Sequence, residues 1–148
     1  MNEPLQALQP IRTLALKDHV SLGGLSAGEL MLALAVVHAT LPADKPLTER
    51  EVNEALKAAL AGAACWLATD HVELRRWLVD AGWLTRDGYG REYRALAHAA
   101  LPPAPAPHQA LARALATMDV TRWVAAEREV QERMRAERKA RWAAAQKG

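Results

Sequence analysis

Five arginines in the middle of the chain are the side chains whose type and spacing best suit a binding function. They lie in one short stretch, at Arg75, Arg76, Arg86, Arg91 and Arg94. A guanidinium group bonds a phosphate or the edge of a guanine through two parallel hydrogen bonds. One hypothesis is that this stretch contacts duplex DNA. The other is that it forms a solvated face, with Arg75 or Arg76 paired to Glu73, Asp80 or Glu92.

The first element that must position these arginines is a helix beginning after Asp70. Asp70 and Glu73 have the spacing of a capping box, which satisfies the free N–H groups of a first helical turn. Apolar residues then recur at helical intervals, at Leu74, Trp77, Leu78 and Ala81. Gly82 ends the pattern, as glycine does where the backbone must turn left-handed. Arg75 and Arg76 lie off the apolar stripe and therefore on the open side of this helix.

The second element is a β-hairpin. Trp83–Arg86 is a short strand, residues 87–90 have turn chemistry, and Arg91–Leu96 alternates as the return strand. A helix that leads directly into a hairpin is how a winged helix-turn-helix ends, with the recognition helix followed by the wing. The predicted fold is therefore mainly α with a small β-hairpin wing, followed by C-terminal helices.

The same stretch carries a family resemblance, together with the helix before it. The motifs are Glu51-Val52-Asn53, Leu74-Arg75-Arg76-Trp77-Leu78-Val79, Gly82, Arg86 and Gly90-Arg91-Glu92-Tyr93. On these residues the chain resembles the bacterial DUF2087 domain family over roughly residues 18–96. The resemblance implies a winged-helix-like fold and an association with transcriptional regulators, and it implies no established activity.

Two further capping boxes, at Ser26 and Thr48, begin earlier helices. The helix from about Ala27 to Thr40 is apolar nearly all round, which is typical of the buried centre of a domain. The helix after Thr48 is amphipathic and is expected at the surface. The predicted core comprises Leu30, Leu34, Val37, Val52, Leu56, Leu74, Leu78, Leu84 and Tyr93.

Four segments are expected along the chain. Residues 1–17 form an N-terminal arm, either a short helix or an extended segment, and residues 18–100 form the winged-helix domain. Residues 101–107 hold four prolines and predict a stiff linker. Residues 108–148 form a helical extension, a short alanine-rich helix followed by a longer one that Asp119 caps.

The last helix is the second candidate site. Its sparse apolar stripe favours packing of Val120, Trp123 and Val124 on the domain, while the rest either projects or meets a partner. The candidate partner-binding residues are Val130, Met134, Arg138 and Trp142. Residues 133–148 hold six basic and one acidic residue, which favours an acidic protein or a nucleic-acid backbone. The partner is either another copy of the chain or a larger assembly.

Composition restricts the function classes. The net charge is only +2, and residues 18–96 hold eleven acidic and eight basic residues, which disfavours non-specific DNA binding by that region. We see no catalytic motif, metal-ligand spacing, cofactor motif, membrane span or secretory signal, so a cytoplasmic protein that is not an enzyme is expected. The single cysteine, Cys65, lies in an apolar run and is expected to be buried.

Together these patterns favour a non-enzymatic winged-helix protein that acts as an interaction or docking module, with its charged C-terminal helix as the candidate interface. The alternative is a DNA-binding transcriptional regulator that uses the helix at 70–82 and the wing at 83–96. The surface around Arg75 distinguishes them, since a continuous positive strip favours DNA and a mixed face favours protein.

Overall fold

The chain forms five α-helices and three short strands in the part that the structure describes. This computed structural model describes residues 3–89, 91–96, 114–115 and 117–147, with side chains from Leu8 onward. The helices are α1 (Glu3–Ala15), α2 (Ala27–Ala39), α3 (Glu49–Ala61), α4 (His71–Asp80) and α5 (Val120–Lys147). The strands are β1 (Pro46–Thr48), β2 (Leu84–Arg86) and β3 (Glu92–Ala95). The predicted class, mainly α with a small β element, is confirmed.

Side chains cap α2, α3 and α4 where the sequence predicts. Ser26 and Thr48 each accept a hydrogen bond from the third helical N–H, and the carboxylate of the glutamate at that position accepts one from the N–H of the cap residue. Asp70 accepts from the N–H of Glu73 at 2.7 Å. Gly82 follows α4 with a φ of 86°, a left-handed conformation that glycine adopts without strain.

The sheet has one more strand than the sequence predicts. The predicted hairpin is present as β2 and β3, and β1 joins the other side of β3 to give the antiparallel order β1-β3-β2. Leu47 of β1 lies opposite Tyr93, and both are buried. The sheet therefore ties the chain before α3 to the hairpin after α4.

One hydrophobic cluster lies between the helices and the sheet. Eight of the nine predicted core residues are buried in it, and Leu30 is partly buried at its edge. The largest fully buried side chain is Trp66, which follows α3 and donates through Nε1 to the carbonyl of Ala63 at 2.9 Å. The core therefore extends into the α3–α4 connection, which the predicted set leaves out.

The two ends of the chain also contribute to this cluster. The N-terminal arm is helical through Pro10, and Ile11 and Leu14 of α1 are fully buried. Val120 and Val124 of α5 are buried as well, whereas Trp123 is partly buried. The predicted linker at 101–107 lies outside the described residues, as does most of the predicted helix at 108–117, and the domain boundaries stay a prediction.

Candidate functional site

The arginines predicted to contact DNA fall into two groups, and Arg75 represents the first. Its Nη1 donates to Asn53 Oδ1 of α3 at 2.6 Å and lies 3.4 Å from Glu49 Oε1. Its guanidinium carbon lies 5.3 Å from the centre of the Tyr93 ring, and its side chain is only 18% exposed. Arg75 therefore joins α3, α4 and β3, and its carboxylate partner is Glu49 rather than Glu73, Asp80 or Glu92.

This contact joins residues from three of the sequence motifs. Asn53 comes from the Glu-Val-Asn motif, Arg75 from the Leu-Arg-Arg motif and Tyr93 from the last motif. The charged residue of the first motif, Glu51, completes the capping box of α3. Hydrogen bonding to Thr48, first to its backbone N–H, holds the pKa of Glu51 below its ordinary value. These motif residues hold α3, α4 and β3 in place.

Two of the wing arginines contact other side chains of the domain. Arg94 Nη1 lies 3.4 Å from Asp44 Oδ1, in the loop before β1. The guanidinium carbon of Arg91 lies 5.4 Å from the ring centre of Tyr89, at the exposed hairpin turn. Arg94 is partly buried and Arg91 is exposed, so the wing retains one open basic side chain at this end.

Arg76 and Arg86 form the second group. Both are exposed, and neither forms an ion pair or side-chain hydrogen bond with the described part of the chain. They line a groove of about 270 Å³ between α4 and the sheet, together with Val72, Arg75, Val79, Asp80 and Tyr93. The open basic surface is thus a small groove rather than a strip through all five arginines.

Carboxylates interrupt the outer face of α4. Glu73 and Asp80 are exposed on it beside Arg76. Glu73 accepts hydrogen bonds from Thr69 Oγ1 at 3.0 Å and from Trp77 Nε1 at 3.4 Å. The face that a recognition helix presents is therefore mixed in charge, which favours a protein partner over a phosphate backbone.

The start of α5 is fixed to the end of α1 by polar contacts that the sequence analysis did not identify. Arg128 Nη1 donates to the carbonyls of Ala15 at 2.7 Å and Lys17 at 3.0 Å, and Nη2 donates to Asp18 Oδ1 at 2.6 Å. Arg12 Nε donates to Glu127 Oε2 at 2.8 Å. Arg128 thus satisfies carbonyl groups that a helix C-terminus leaves unpaired.

Electrostatics reinforce this contact. The hydrogen bond from Arg128 and its positive charge hold the pKa of Asp18 below the ordinary value of 3.8. The hydrogen bond to Asp18 correspondingly raises the pKa of Arg128. No sequence motif points to this pair, because the two residues are 110 positions apart.

Beyond Gln131, α5 is exposed along its whole length. The predicted partner-binding residues all lie here or just before it, with Val130 37%, Met134 53% and Trp142 67% exposed and Arg138 also exposed. Val120, Val124, Gln131, Arg138 and Trp142 follow one another at steps of four and seven residues, so they share one face of the helix. At its start this face packs on the rest of the domain through Val120 and Val124. At its end it is exposed to solvent at Arg138 and Trp142.

Other chemistry-bearing residues give no second centre among the residues described. Cys65 is exposed, so the prediction of a buried thiol is wrong; it lies in the turn after α3 and points away from the core that Trp66 fills. His38 Nε2 lies 2.7 Å from the carbonyl of Leu96, at the end of α2. No group of three or more metal-binding side chains occurs in the described ranges, which exclude His98 and His108. None of the described helices is long and apolar enough to cross a membrane.

The fold and the motif contacts define a small, mainly α domain with an antiparallel sheet at residues 27–95. Those residues match the family described as "Uncharacterized protein conserved in bacteria (DUF2087)". The chain is therefore similar to the DUF2087 family over residues 27–95, a little under half of its 148 residues. No significant match was found among curated proteins or among solved structures.

Proposed function

We propose that the chain is a non-enzymatic interaction module that docks on an acidic protein surface through residues 130–147 of α5. The observation that carries the proposal is the continuity of one helix face. This face buries Val120 and Val124 on the body, and its continuation exposes Arg138 and Trp142. An exposed tryptophan beside arginines is the composition of an interface centre, where Trp and Arg contribute most of the binding free energy.

The positive charge of this segment indicates an acidic partner. Residues 133–147 hold six basic residues and only one acidic residue, Glu137. Two such segments side by side would repel each other, since like charges in contact are unfavourable. An acidic surface would complement the positive charge of the segment, and apolar positions on that surface would accommodate Met134 and Trp142. We therefore favour a different protein over a second copy of this chain.

Duplex DNA remains the second candidate partner, through α4 and the wing. Arg76 and Arg86 support it because their guanidinium groups are open. Arg75 and Arg94 weaken it because carboxylates already pair with them. Removing either open arginine would lower the salt dependence of DNA binding by about one phosphate contact. Absence of retardation of a duplex by the wild-type chain at low salt would end this candidate.

Full-length substitution variants test the proposal. The wild type and the double variant Arg138→Glu/Trp142→Ala are used to recover partners from the source cell, with and without nuclease treatment. The recovered acidic protein is then purified and titrated against both chains. The matched control is Arg122→Glu, an equal charge change at an exposed position near the start of α5. We expect binding to be lost in the double variant and kept in the control.

Three outcomes would contradict the proposal. Equal affinity of the double variant and the wild type would remove α5 from the interface. Recovery that nuclease abolishes would indicate nucleic acid as the partner. A wild-type dimer in light scattering that the double variant loses would indicate a second copy. That the chain is not an enzyme and is cytoplasmic remains a prediction.

A further inference from the structure

The groove between α4 and the sheet contains a buried tyrosine hydroxyl that has no hydrogen-bond partner among the described residues. Tyr93 lines the groove and is only 2% exposed. Its hydroxyl makes no hydrogen bond with the described part of the chain. Buried tyrosine hydroxyls usually find a partner, because an unsatisfied buried donor is costly. Tyr93 therefore presents a donor that something other than the described chain can satisfy.

Cationic groups surround this donor from different elements. Arg76 lies on α4 and Arg86 on β2, and both are open, while Arg75 is held in place by Asn53. Asp80 is the one carboxylate among the groove residues. Two open guanidinium groups against one carboxylate leave the groove cationic, and guanidinium groups match the oxygen geometry of oxyanions.

Its size and apolar walls limit the ligand. The volume of about 270 Å³ lies just below the range of pockets that hold drug-sized molecules. Val72 and Val79 provide aliphatic surface beside the charged groups. Donors on α4, β2 and β3 suit a tetrahedral group, which presents oxygens in several directions, better than a planar carboxylate.

We propose that this groove binds the phosphate group of a small molecule, with Arg76 and Arg86 pairing with its oxygens and the Tyr93 hydroxyl donating from the floor. Arg75 acts as a positioning residue that keeps Tyr93 in place through its stacking contact. The site lies on α4 and the sheet, so it does not depend on the docking surface proposed for α5. The phosphate of a duplex DNA backbone has the same chemistry and is the competing source.

Titration of the full-length chain with inorganic phosphate tests the site, using chloride at equal ionic strength as the reference. Binding is followed by NMR signals of the arginine side chains and by thermal melts. We expect saturable binding at one site, weakened at least tenfold in Arg86→Gln and in Arg76→Gln. Lys57→Gln, an exposed cation paired with Glu54 outside the groove, should bind like the wild type.

Tyr93→Phe is the most specific variant. It removes a hydroxyl that has no hydrogen bond within the described chain, so the variant should fold and melt no lower than the wild type while binding phosphate more weakly. A Tyr93→Phe chain that binds phosphate as well as the wild type would overturn the assignment of the donor.

A parallel titration with a short duplex separates the two sources. Loss of phosphate binding in the arginine variants supports a small-molecule site. If the wild type binds the duplex but not inorganic phosphate, the small-molecule proposal is overturned and the groove is assigned to DNA. Binding of neither probe would also overturn it. None of these results depends on residues 130–147, so failure here leaves the docking proposal unaffected.

Discussion

Arg128 Nη2 and Asp18 Oδ1 lie 2.6 Å apart, and this pair fixes the last helix of the chain to the end of the first. The same guanidinium group satisfies two backbone carbonyls just after α1. Charge and hydrogen bonding therefore act together at this junction, and the Asp18 carboxylate makes its contact with Arg128 sensitive to pH.

The first prediction concerns that response. The pKa of Asp18 is lower in the folded chain than its ordinary value of 3.8, so its stabilising contribution is fully present above that value. The contribution is lost as the pH falls through the folded pKa. Asp18→Asn should melt below the wild type at neutral pH, and the difference should disappear at strongly acidic pH. Thermal melts across this range test it.

A constant difference between the two chains at all pH values would show that Asp18 does not act through its charge. Some acid dependence should remain in Asp18→Asn, because Glu29 and Glu51 also have lowered pKa values from their capping hydrogen bonds.

The second prediction tests the packing of α4. Leu78 is fully buried, so Leu78→Ala should lower the free energy of unfolding by about 2–5 kcal/mol. Val72 is 45% exposed on the same helix, and Val72→Ala should change it by no more than about 0.5 kcal/mol. Denaturant melts measure both. A loss below about 0.5 kcal/mol at Leu78 would mean that α4 is not packed as described.

The third prediction separates a structural role of Arg75 from a binding role. Asn53→Ala removes the shorter of the two polar contacts of Arg75, and it should destabilise the fold by about 1–3 kcal/mol. A double-mutant cycle with Arg75→Ala should give a coupling of about 0.5–3 kcal/mol. Arg76→Ala is the control and should lie within about 0.5 kcal/mol of the wild type. Additive effects of the two substitutions would show that Asn53 and Arg75 act independently.

The fourth prediction concerns the turn after α4. Gly82 has a φ of 86°, which costs an alanine about 1–2 kcal/mol, so Gly82→Ala should destabilise the fold by that amount. Gly28 lies in the first turn of α2, and a β-carbon there would meet nothing within 4 Å. Gly28→Ala should leave stability unchanged or raise it by up to about 1 kcal/mol. Equal destabilisation by the two substitutions would contradict the assigned conformation of Gly82.

Local patterns predict much of this fold. The capping residues at Ser26, Thr48 and Asp70 fix where three helices begin, and Gly82 fixes where α4 ends. The hairpin is equally local, because its strands are joined by a short turn. These features depend on residues within a few positions of each other, and they are correct to within about two residues, the usual uncertainty of element boundaries.

Distant pairings are what the sequence leaves open. β1 is three residues long and includes a proline, so it is a strand only because β3 pairs with it. The partners of Arg75 lie 22 and 26 positions away, and those of Arg128 lie more than a hundred positions away. The burial of Cys65 is predicted wrongly for a related reason, because an apolar run in a turn buries only some of its residues. The position of the candidate groove follows from these same long-range contacts.

The central place of β3 in the sheet determines when the domain can form during synthesis. β1 and β2 each pair only with β3, which comes last of the three in the chain. While a ribosome is still adding residues before Glu92, both strands lack their partner, and Leu47 lacks the tyrosine that faces it in the sheet. Helices α2 to α4 can form as soon as they emerge, because their hydrogen bonds are local. The nascent domain therefore carries its sheet edges unpaired until almost its last residue has left the ribosome, the interval in which unpaired strands are most prone to aggregate.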